Sequence, residues 1–446
     1  NGQAAAIIYD GAQARRARTQ DREVPTGTVM AYGLGRLAVA RGRNFVVGDI
    51  VGGPSGTAAN NFEDAVLKFT ENDYLNGGGE FTFPLQTGDI TAMLHIATPD
   101  TALGQGQMLV FTTDAVASVN LPPERDTWQN LTYPIQTITL INYGAQGNDS
   151  TVLVNGDVFF RARDGIRTLI MAVRQFNEWG NTPISREMDR ILANDSQGLL
   201  QDGSAIVFNN RLLMTTSPVP FYNSRSHHKG IIALDFDPVS TMRQKGQPAY
   251  DGLWTGIEPT KIFSGRIDGV ERAFAFVRNN LGYNELWDIT QNDRHDNVSA
   301  TDIPIEASLE SRSFTFPGQH ASPFPTLKEI NGGDLFVDRL SGTVNFSVDY
   351  RPDQYPVWQP WHSWSMCGTA TDCTAVNNCL PNKSLLPQYR TRMGLPQPAN
   401  DDETTDNKPM RRGYEFQARI NWTGSCRLRG FRLKALETQE PPQGGF

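Results

Sequence analysis

Residues 414–436, YEFQARINWTGSCRLRGFRLKAL, carry the clearest pattern in the chain. Apolar and polar side chains alternate over residues 414–422, which is typical of a strand with one buried face and one solvated face. Residues 423–425 (TGS) predict a turn, and the residues after them predict a return strand with a bulge at Gly430, where the alternation shifts. The stretch therefore predicts an antiparallel hairpin within a β-sandwich.

The same alternation appears upstream, in VNFSVDY at residues 344–350. Between this strand region and residue 414 lies an irregular insertion, residues 366–412, that is far longer than an ordinary connection. An insertion of this length is either functional, typically at an assembly contact, or disordered. The last residues, 437–446 (ETQEPPQGGF), have the composition of an extended arm that orders against a neighbour.

The first two thirds of the chain contains repeated strand pairs joined by tight turns. Phe160 lies in an alternating run that ends at Asp164-Gly165, and Asn209-Asn210 and Asp268-Gly269 stand between apolar runs in the same way. One helix is predicted over residues 185–194, with Ser185 as its cap. No fixed repeat is visible, so the pattern predicts a propeller-like platform or a sandwich built from antiparallel hairpins.

A Pro-containing stretch near residue 305 separates the two patterns. We therefore expect an all-β protein with a propeller-like platform at residues 1–305. A C-terminal β-sandwich follows at residues 306–446. The 41 Gly and 27 Pro agree with this class, because many short strands need many turns.

The formal net charge of −8 disfavours sequence-specific DNA binding, because the chain as a whole repels phosphate backbones. An acidic wall would instead suit a channel through which DNA passes without sticking. No run of 18 apolar residues is present, so the sequence predicts no membrane-spanning helix.

No catalytic signature is present in the sequence. It lacks a GxxxxGK[ST] loop and an HExxH motif, and the adjacent His227 and His228 point to opposite faces of an extended segment. Candidates for a carboxylate pair of glycosidase type are available, but all of them lie at strand ends or turns, where Asp is common for backbone reasons alone. The candidates are Asp164, Asp235, Asp237 and Glu285. We therefore predict a protein that is not an enzyme and that has no cofactor and no metal site.

The four cysteines are Cys367, Cys373, Cys379 and Cys426. Three of them fall within the insertion, separated by five intervening residues twice, and this spacing fits zinc frameworks poorly. We predict a local disulfide or free thiols among them.

Three indoles, Trp358, Trp361 and Trp364, are spaced three residues apart with prolines between them. Prolines exclude a regular helix, so a polyproline-like segment would place the indoles on one side, as a subunit contact or a sugar-stacking strip. The alternative is that the indoles fill the base of the sandwich. Both interpretations stay open on the sequence.

Two arginines, Arg163 and Arg167, flank the Asp164-Gly165 turn and are candidate contacts for an acidic neighbour, with a solvated hairpin tip as the alternative. A separate basic group lies near the start of the chain. It reads as a solvated arm or as a DNA contact, and its members are Arg15, Arg16, Arg18 and Arg22.

Several phrases in their order along the chain resemble bacteriophage structural proteins. They are GRL at residues 35–37, VNGD at 154–157, RDGIR at 163–167, FNNRLL at 208–213 and YRPD at 350–353 before the Trp-rich segment. The architecture is similar to the tail nozzle, or tail tubular, proteins of short-tailed phages. This resemblance implies a β-propeller-like platform and a hexameric ring that continues the DNA channel, with no catalytic residues to carry over.

From the resemblance we expect a homo-oligomeric virion protein of the tail or neck that is assembled in the host cytoplasm. Its expected partners are an adaptor ring and tail fibres, with DNA as non-specific passing cargo. Two alternatives stay open: a carbohydrate-binding or carbohydrate-cleaving tail fibre or spike that uses the three indoles, and a cellular propeller that serves as an interaction scaffold.

Overall fold

The computed structural model of the chain describes residues 4–18, 23–33, 35–48, 67, 80–96, 107–119, 135–137, 143–154, 156–169, 183–221, 225–236, 248–279, 281–290, 295–298, 301–315, 326–368, 390–396 and 410–438. These residues are dominated by antiparallel strands, which confirms the all-β class. The chain forms two units, Asn1–Gln291 and Asn292–Phe446. The division falls before the expected boundary near residue 305, because a short hairpin between the two positions belongs to the second unit.

The described part of unit 1 forms an N-terminal hairpin and five antiparallel sheets that follow one another in chain order. The N-terminal hairpin consists of β1 (Ile7–Tyr9) and β2 (Ala14–Arg16). Sheet I consists of β3 (Val29–Gly33), β4 (Arg36–Arg41), β5 (Asn44–Val47) and β6 (Glu80–Thr82). Sheet II consists of β7 (Ile90–His95), β8 (Met108–Thr112), β9 (Val116–Val119) and β10 (Ile135–Thr137), and sheet III of β11 (Thr151–Val154), β12 (Asp157–Ala162) and β13 (Gly165–Thr168). Sheet IV consists of β14 (Ala205–Phe208), β15 (Arg211–Phe221), β16 (Arg225–Asp235) and β17 (Ala249–Thr255), and sheet V of β18 (Pro259–Ile267), β19 (Val270–Arg278) and β20 (Asn284–Asp288).

The five sheets pack face to face in series, because their central strands are apolar on both sides. Val110 of β8 packs in the core between sheets I and II, whereas its neighbours Leu109 and Phe111 pack in the core between sheets II and III. Phe160 of β12 joins that second core, and Phe159 points the other way, into the core between sheets III and IV. Successive strand residues point to opposite faces, so each inner sheet is covered on both sides.

The series continues through sheet IV to sheet V. Leu212 of β15 packs against sheet III, while Leu213 packs against Ala273 and Ala275 of sheet V. At the other end of the row, Ile8 of the N-terminal hairpin packs onto the outer side of sheet I. The sheets of this row are built from antiparallel hairpins, as expected, and the propeller-like arrangement of residues 1–305 stays a prediction.

The predicted turns are confirmed at two positions and displaced at a third. Asn209 and Asn210 both have positive φ, as do Asp268 and Gly269, which is the backbone that two-residue hairpin turns require. The turn between β12 and β13 consists instead of residues 163–164, one residue earlier than predicted. Gly165 lies in the strand, where an added Cβ would come within 2.6 Å of the Ser185 hydroxyl oxygen.

The predicted helix is present as a 3-10 turn (Arg186–Met188) followed by α1 (Asp189–Leu192). Met188 and Leu192 are buried against sheets III and IV. Ser185 does not cap it, because its hydroxyl accepts a hydrogen bond from the Ile166 backbone N–H at 2.9 Å. Further 3-10 turns among the described residues of unit 1 lie at Leu85–Thr87 and Gln197–Asp202.

The described part of unit 2 forms a hairpin of two strands and a C-terminal sheet of six strands. The hairpin is β21 (His295–Val298) and β22 (Thr301–Pro304), and the C-terminal sheet comprises β23 (Glu306–Glu310), β24 (Lys328–Pro352), β25 (Gln359–Cys367), β26 (Arg390–Met393), β27 (Arg412–Gly413) and β28 (Phe416–Glu437).

The predicted C-terminal hairpin is wrong, because the whole stretch forms the single strand β28. Residues 416–423 pair with the second half of β24, and residues 427–437 continue along its first half. Gly424 has positive φ and lies so close to β24 that an added Cβ would be 2.6 Å from the Thr343 carbonyl oxygen. The predicted bulge at Gly430 is confirmed by a register shift opposite Phe336.

The two long strands are bent at the middle, and the C-terminal sheet folds over itself into two layers. Register shifts occur on β24 between Asp338 and Asn345. Trp361, which lies on the second half of the sheet, contacts Phe431 of the first half, with ring centroids 6.4 Å apart. Both belong to one apolar core, so the expected sandwich is built from a single continuous sheet.

The predicted insertion contains one described strand. β26 pairs with β24 over residues 333–336 and therefore extends the sheet. The rest of the insertion, apart from residues 366–368, 394–396 and 410–412, lies outside the described residues. The predicted arm is described only at its first two residues, 437 and 438.

Replacing Phe160 by Ala tests the serial packing. Phe160 is fully buried and its ring lies 5.1 Å from that of Phe111 in the core between sheets II and III. We expect Phe160→Ala to lower the free energy of unfolding by about 3–5 kcal/mol, measured by urea denaturation. Leu153→Ala, at a 38% exposed position of the same sheet, is the control and should cost less than about 1 kcal/mol. Equal losses would contradict the packing.

Candidate interaction surface

The three indoles do not share one exposed side. Trp361 and Trp364 lie on β25 and are each only 7% exposed, within the core of the C-terminal sheet. A register shift opposite Asp349 places both side chains on the inner face of the strand. The predicted exposed strip is therefore wrong for these two residues, and the alternative, that they fill the base of the sandwich, is confirmed.

Both buried indoles are fixed by specific neighbours. The Trp361 Nε1–H donates to the Gly394 carbonyl oxygen at 2.8 Å, and its ring meets that of Tyr350 edge to face at 5.7 Å. The Trp364 ring stacks on Phe346 with centroids 5.2 Å apart. These contacts make the two residues structural, so neither is available to a sugar or a partner.

Trp358 is the one indole of the three that stays half-buried at the surface. The guanidinium carbons of Arg351 and Arg419 lie 4.3 and 4.8 Å from its ring centroid. Arg419 is itself held by two hydrogen bonds to Asp349, at 2.9 and 3.1 Å. The indole is thus fixed by cation–π contacts within the chain.

The two turn arginines have different environments. Arg163 is exposed and forms an ion pair with Asp114 of sheet II at 3.3 Å. Arg167 is 2% exposed, is hydrogen-bonded to Asp164, and its guanidinium carbon lies 3.6 Å from the Tyr143 ring centroid. Arg167 is therefore not a contact for a neighbour, because its charge and its ring contact are satisfied within the chain.

The two described cysteines differ in oxidation state. Cys367 is buried and disulfide-bonded, whereas Cys426 is a free thiol whose pKa is raised to about 11 by burial. Cys373 and Cys379 lie outside the described residues. A thiol with a raised pKa is a poor nucleophile at neutral pH.

Two of the four candidate carboxylates have contacts that serve local structure. Asp164 binds Arg167, and Glu285 accepts hydrogen bonds from Asn279 and from Trp287, which lower its pKa. Asp235 ends β16, where it faces Arg211 across the sheet, and Asp237 lies outside the described residues. The hydrogen bonds of Asp164 and Glu285 account for these two residues without a catalytic role.

The histidine pair follows the expected alternation. His228 is buried, with its Nδ1 3.2 Å from the Pro259 carbonyl oxygen, and burial lowers its pKa. His227 points the other way, towards Glu258 at 3.4 Å. Among the described residues, no group of three His, Cys, Asp or Glu side chains is placed to hold a metal ion. The same part of the chain contains no helix long and apolar enough to cross a bilayer.

One charged cluster was missed by sequence reasoning. Asp334 of β24 is fully buried, and its carboxylate accepts two hydrogen bonds from Arg390 at 2.9 and 3.0 Å and lies 2.9 Å from the Lys434 ammonium. The Arg390 hydrogen bonds are the main cause of a pKa near 2. Sequence could have suggested this cluster only through the alternating cations of β26 and β28, since the pairing of those strands with β24 is not visible in it.

The outer face of sheet V, the face turned away from sheet IV, carries several exposed apolar side chains. Four large side chains on it are 40–57% exposed: Ile267, Val270, Phe276 and Leu286. Cross-strand register pairs Ile267 with Val270 and Phe276 with Leu286, so the four side chains lie on one face. Phe263 adds its ring beneath them, 5.1 Å from that of Phe276. Between the two apolar pairs, the same face carries an ion pair of Arg272 with Asp288 at 3.0 Å. Exposed apolar side chains grouped on one sheet face make this face a candidate interaction site.

The comparisons with known proteins add little to this surface. No family model matches the chain, and no curated protein matches it. Among solved structures, a glycoside hydrolase aligns with 89% of this chain and 96% of its own, at 8% identity and a TM-score of 0.22. A likeness this weak carries no argument about fold or activity.

Replacing Asp334 by Asn tests the charged cluster. The change keeps the shape but removes the charge, so we expect a loss of about 1–3 kcal/mol in the free energy of unfolding at neutral pH. The folded pKa of about 2 lies below the ordinary value of 3.8, so this stabilisation is present above about pH 4 and disappears as the pH falls through about 2. The difference between wild type and Asp334→Asn, measured by urea denaturation, should shrink over that range.

The matched control is Asp338→Asn, which removes a partly exposed carboxylate that pairs with Arg429 on the same face. Both side chains of that pair are partly exposed, at 39% and 26%, so its loss should cost less than about 1 kcal/mol. If the two variants lose the same stability, Asp334 has no special role.

Comparing Trp361→Ala with Trp358→Ala tests the assignment of the indoles. Removing the buried Trp361 should lower the free energy of unfolding by about 3–5 kcal/mol, while removing the half-buried Trp358 should cost about 1–2 kcal/mol through its cation–π contacts. Thermal denaturation of both variants measures this order. A smaller loss for Trp361→Ala would contradict its place in the core.

Proposed function

We propose that this protein is a structural component of the tail or neck of a tailed bacteriophage. In this role it forms a ring of the tail nozzle or tail tubular type, docks to an adaptor ring and conducts DNA during ejection. The phage identity is supported by the resemblance of the ordered phrases described above. The role as a subunit of an assembly is supported by the surface of unit 1.

The observation that carries the proposal is the outer face of sheet V. The inner sheets of the row bury both faces, as Leu212 and Leu213 of sheet IV do on opposite sides. On sheet V, Ala273, Ala275 and Val277 are buried against sheet IV, but Phe276 and Leu286 on the other face stay 40% and 57% exposed. Exposed apolar area of this kind is unfavourable in water and is stabilised when a partner covers it.

The charge of the chain fits a conducting ring. With a net charge of −8, the protein as a whole repels a nucleic acid backbone, so DNA would pass without being held. Docking to an adaptor ring and to tail fibres would use surfaces other than this apolar face.

The carbohydrate-binding alternative has less support. A sugar-stacking strip needs several exposed rings side by side, and two of the three indoles are buried in the core. Trp358 alone, between two arginines, does not make such a strip.

Electron microscopy tests the proposal at two levels. Negative-stain images of the purified protein should show closed rings with a central channel. Antibody against this chain should label the tail or neck of virions that contain it. Label on capsid faces or along long fibres would refute the proposed location, and particles without a channel would refute the ring.

A further inference from the structure

A second apolar surface lies at the opposite end of the row of sheets. On the N-terminal hairpin, Ile8 packs inward onto sheet I, so Ile7 and Tyr9 point outward and are 73% and 66% exposed. On the same side of sheet I, Met30 and Tyr32 of the edge strand β3 are 54% and 55% exposed. These four side chains, Ile7, Tyr9, Met30 and Tyr32, form what we call the N-terminal face.

Both apolar surfaces are exposed in the same chain. Tyr9 at the first end and Leu286 at the last end are each more than half exposed, so neither surface is covered by the other within one molecule. Each inner interface of the row joins two apolar sheet faces, and these two end surfaces continue that pattern. Another apolar sheet face would therefore fit onto either of the two end surfaces.

Charge at the two ends is complementary. Residues 1–48 contain seven Lys and Arg against three Asp and Glu, whereas residues 249–291 contain four against six. Arg16 is exposed opposite Ile7 on the N-terminal hairpin, where Asp10 is the exposed residue of opposite charge. Asp268 and Glu271 are exposed beside Val270 on sheet V, with one exposed cation, Arg266, opposite Glu271. Opposite charges favour contact between unlike ends and disfavour contact between two like ends.

We propose that the outer face of sheet V of one copy of this chain packs onto the N-terminal face of a second copy. The inference rests on the proposed function, since it names the contact through which a ring of identical subunits would close. Such a contact joins two different surfaces, so repeating it by rotation produces a closed ring if the angle fits and an open chain if it does not.

Two charge substitutions block the two ends separately. Tyr9→Glu places a carboxylate on the N-terminal face, and Leu286→Glu places one on the outer face of sheet V. Both positions are exposed, so the fold should be retained, which circular dichroism can verify. Leu85→Glu, at a 76% exposed position away from both surfaces, is the matched control.

Native mass spectrometry and sedimentation give the readout on the full chain. Each blocked variant alone should lose the assembly, with association weakened on the order of 30-fold or more by burial of the new charge, while Leu85→Glu assembles like wild type. Mixed in equal amounts, Tyr9→Glu and Leu286→Glu should form a dimer of one copy of each, because one intact surface of each kind remains.

Three other results would overturn the inference. If only Leu286→Glu loses the assembly, two like faces pair with each other. If both variants assemble like wild type, the subunits meet elsewhere, and the proposed ring stands without this contact. A wild-type protein that stays monomeric at all concentrations would refute the proposed ring itself, together with the contact.

Discussion

Burial of both faces of each inner sheet is the constraint on which unit 1 depends. A strand such as β8 or β12 carries large apolar side chains in consecutive positions, so a single covered face would leave half of them in water. The sheets satisfy this need by packing in series, and the N-terminal hairpin extends the series by one element. A row built in this way has two ends, and apolar side chains stay exposed on the outer surface of each end.

Unit 2 meets the same constraint with one sheet instead of several. β24 and β28 are long enough to fold back, and the bend brings Trp361 onto Phe431 and closes a core between the two halves. The buried charge of Asp334 sits on the outside of this fold, where Arg390 and Lys434 cover it and compensate its removal from water.

The sequence correctly predicted features that depend on local alternation and on turn residues. Predictions were wrong for features that depend on pairing between residues distant in the chain. The turns at Asn209 and Asp268 follow from local backbone needs and are present. Gly424 lies in a stretch with the composition of a hairpin turn, but in the structure it lets β28 approach β24 closely. This role is visible only once the partner strand is known. Trp361 likewise lies inside because a bulge, set by pairing with β24, turns it inward. For the same reason the exposed ends of the row, which depend on which faces other sheets cover, could not be predicted.

Hydroxyl-radical footprinting tests most directly whether the outer face of sheet V is covered in the native protein. The measurement compares oxidation of Phe276 and Leu286 with that of Leu85, which is exposed at a distance from this face. Our account predicts that, in concentrated protein, Phe276 and Leu286 are protected while Leu85 is oxidised freely. Oxidation of all three at the same rates in dilute and concentrated protein would contradict it.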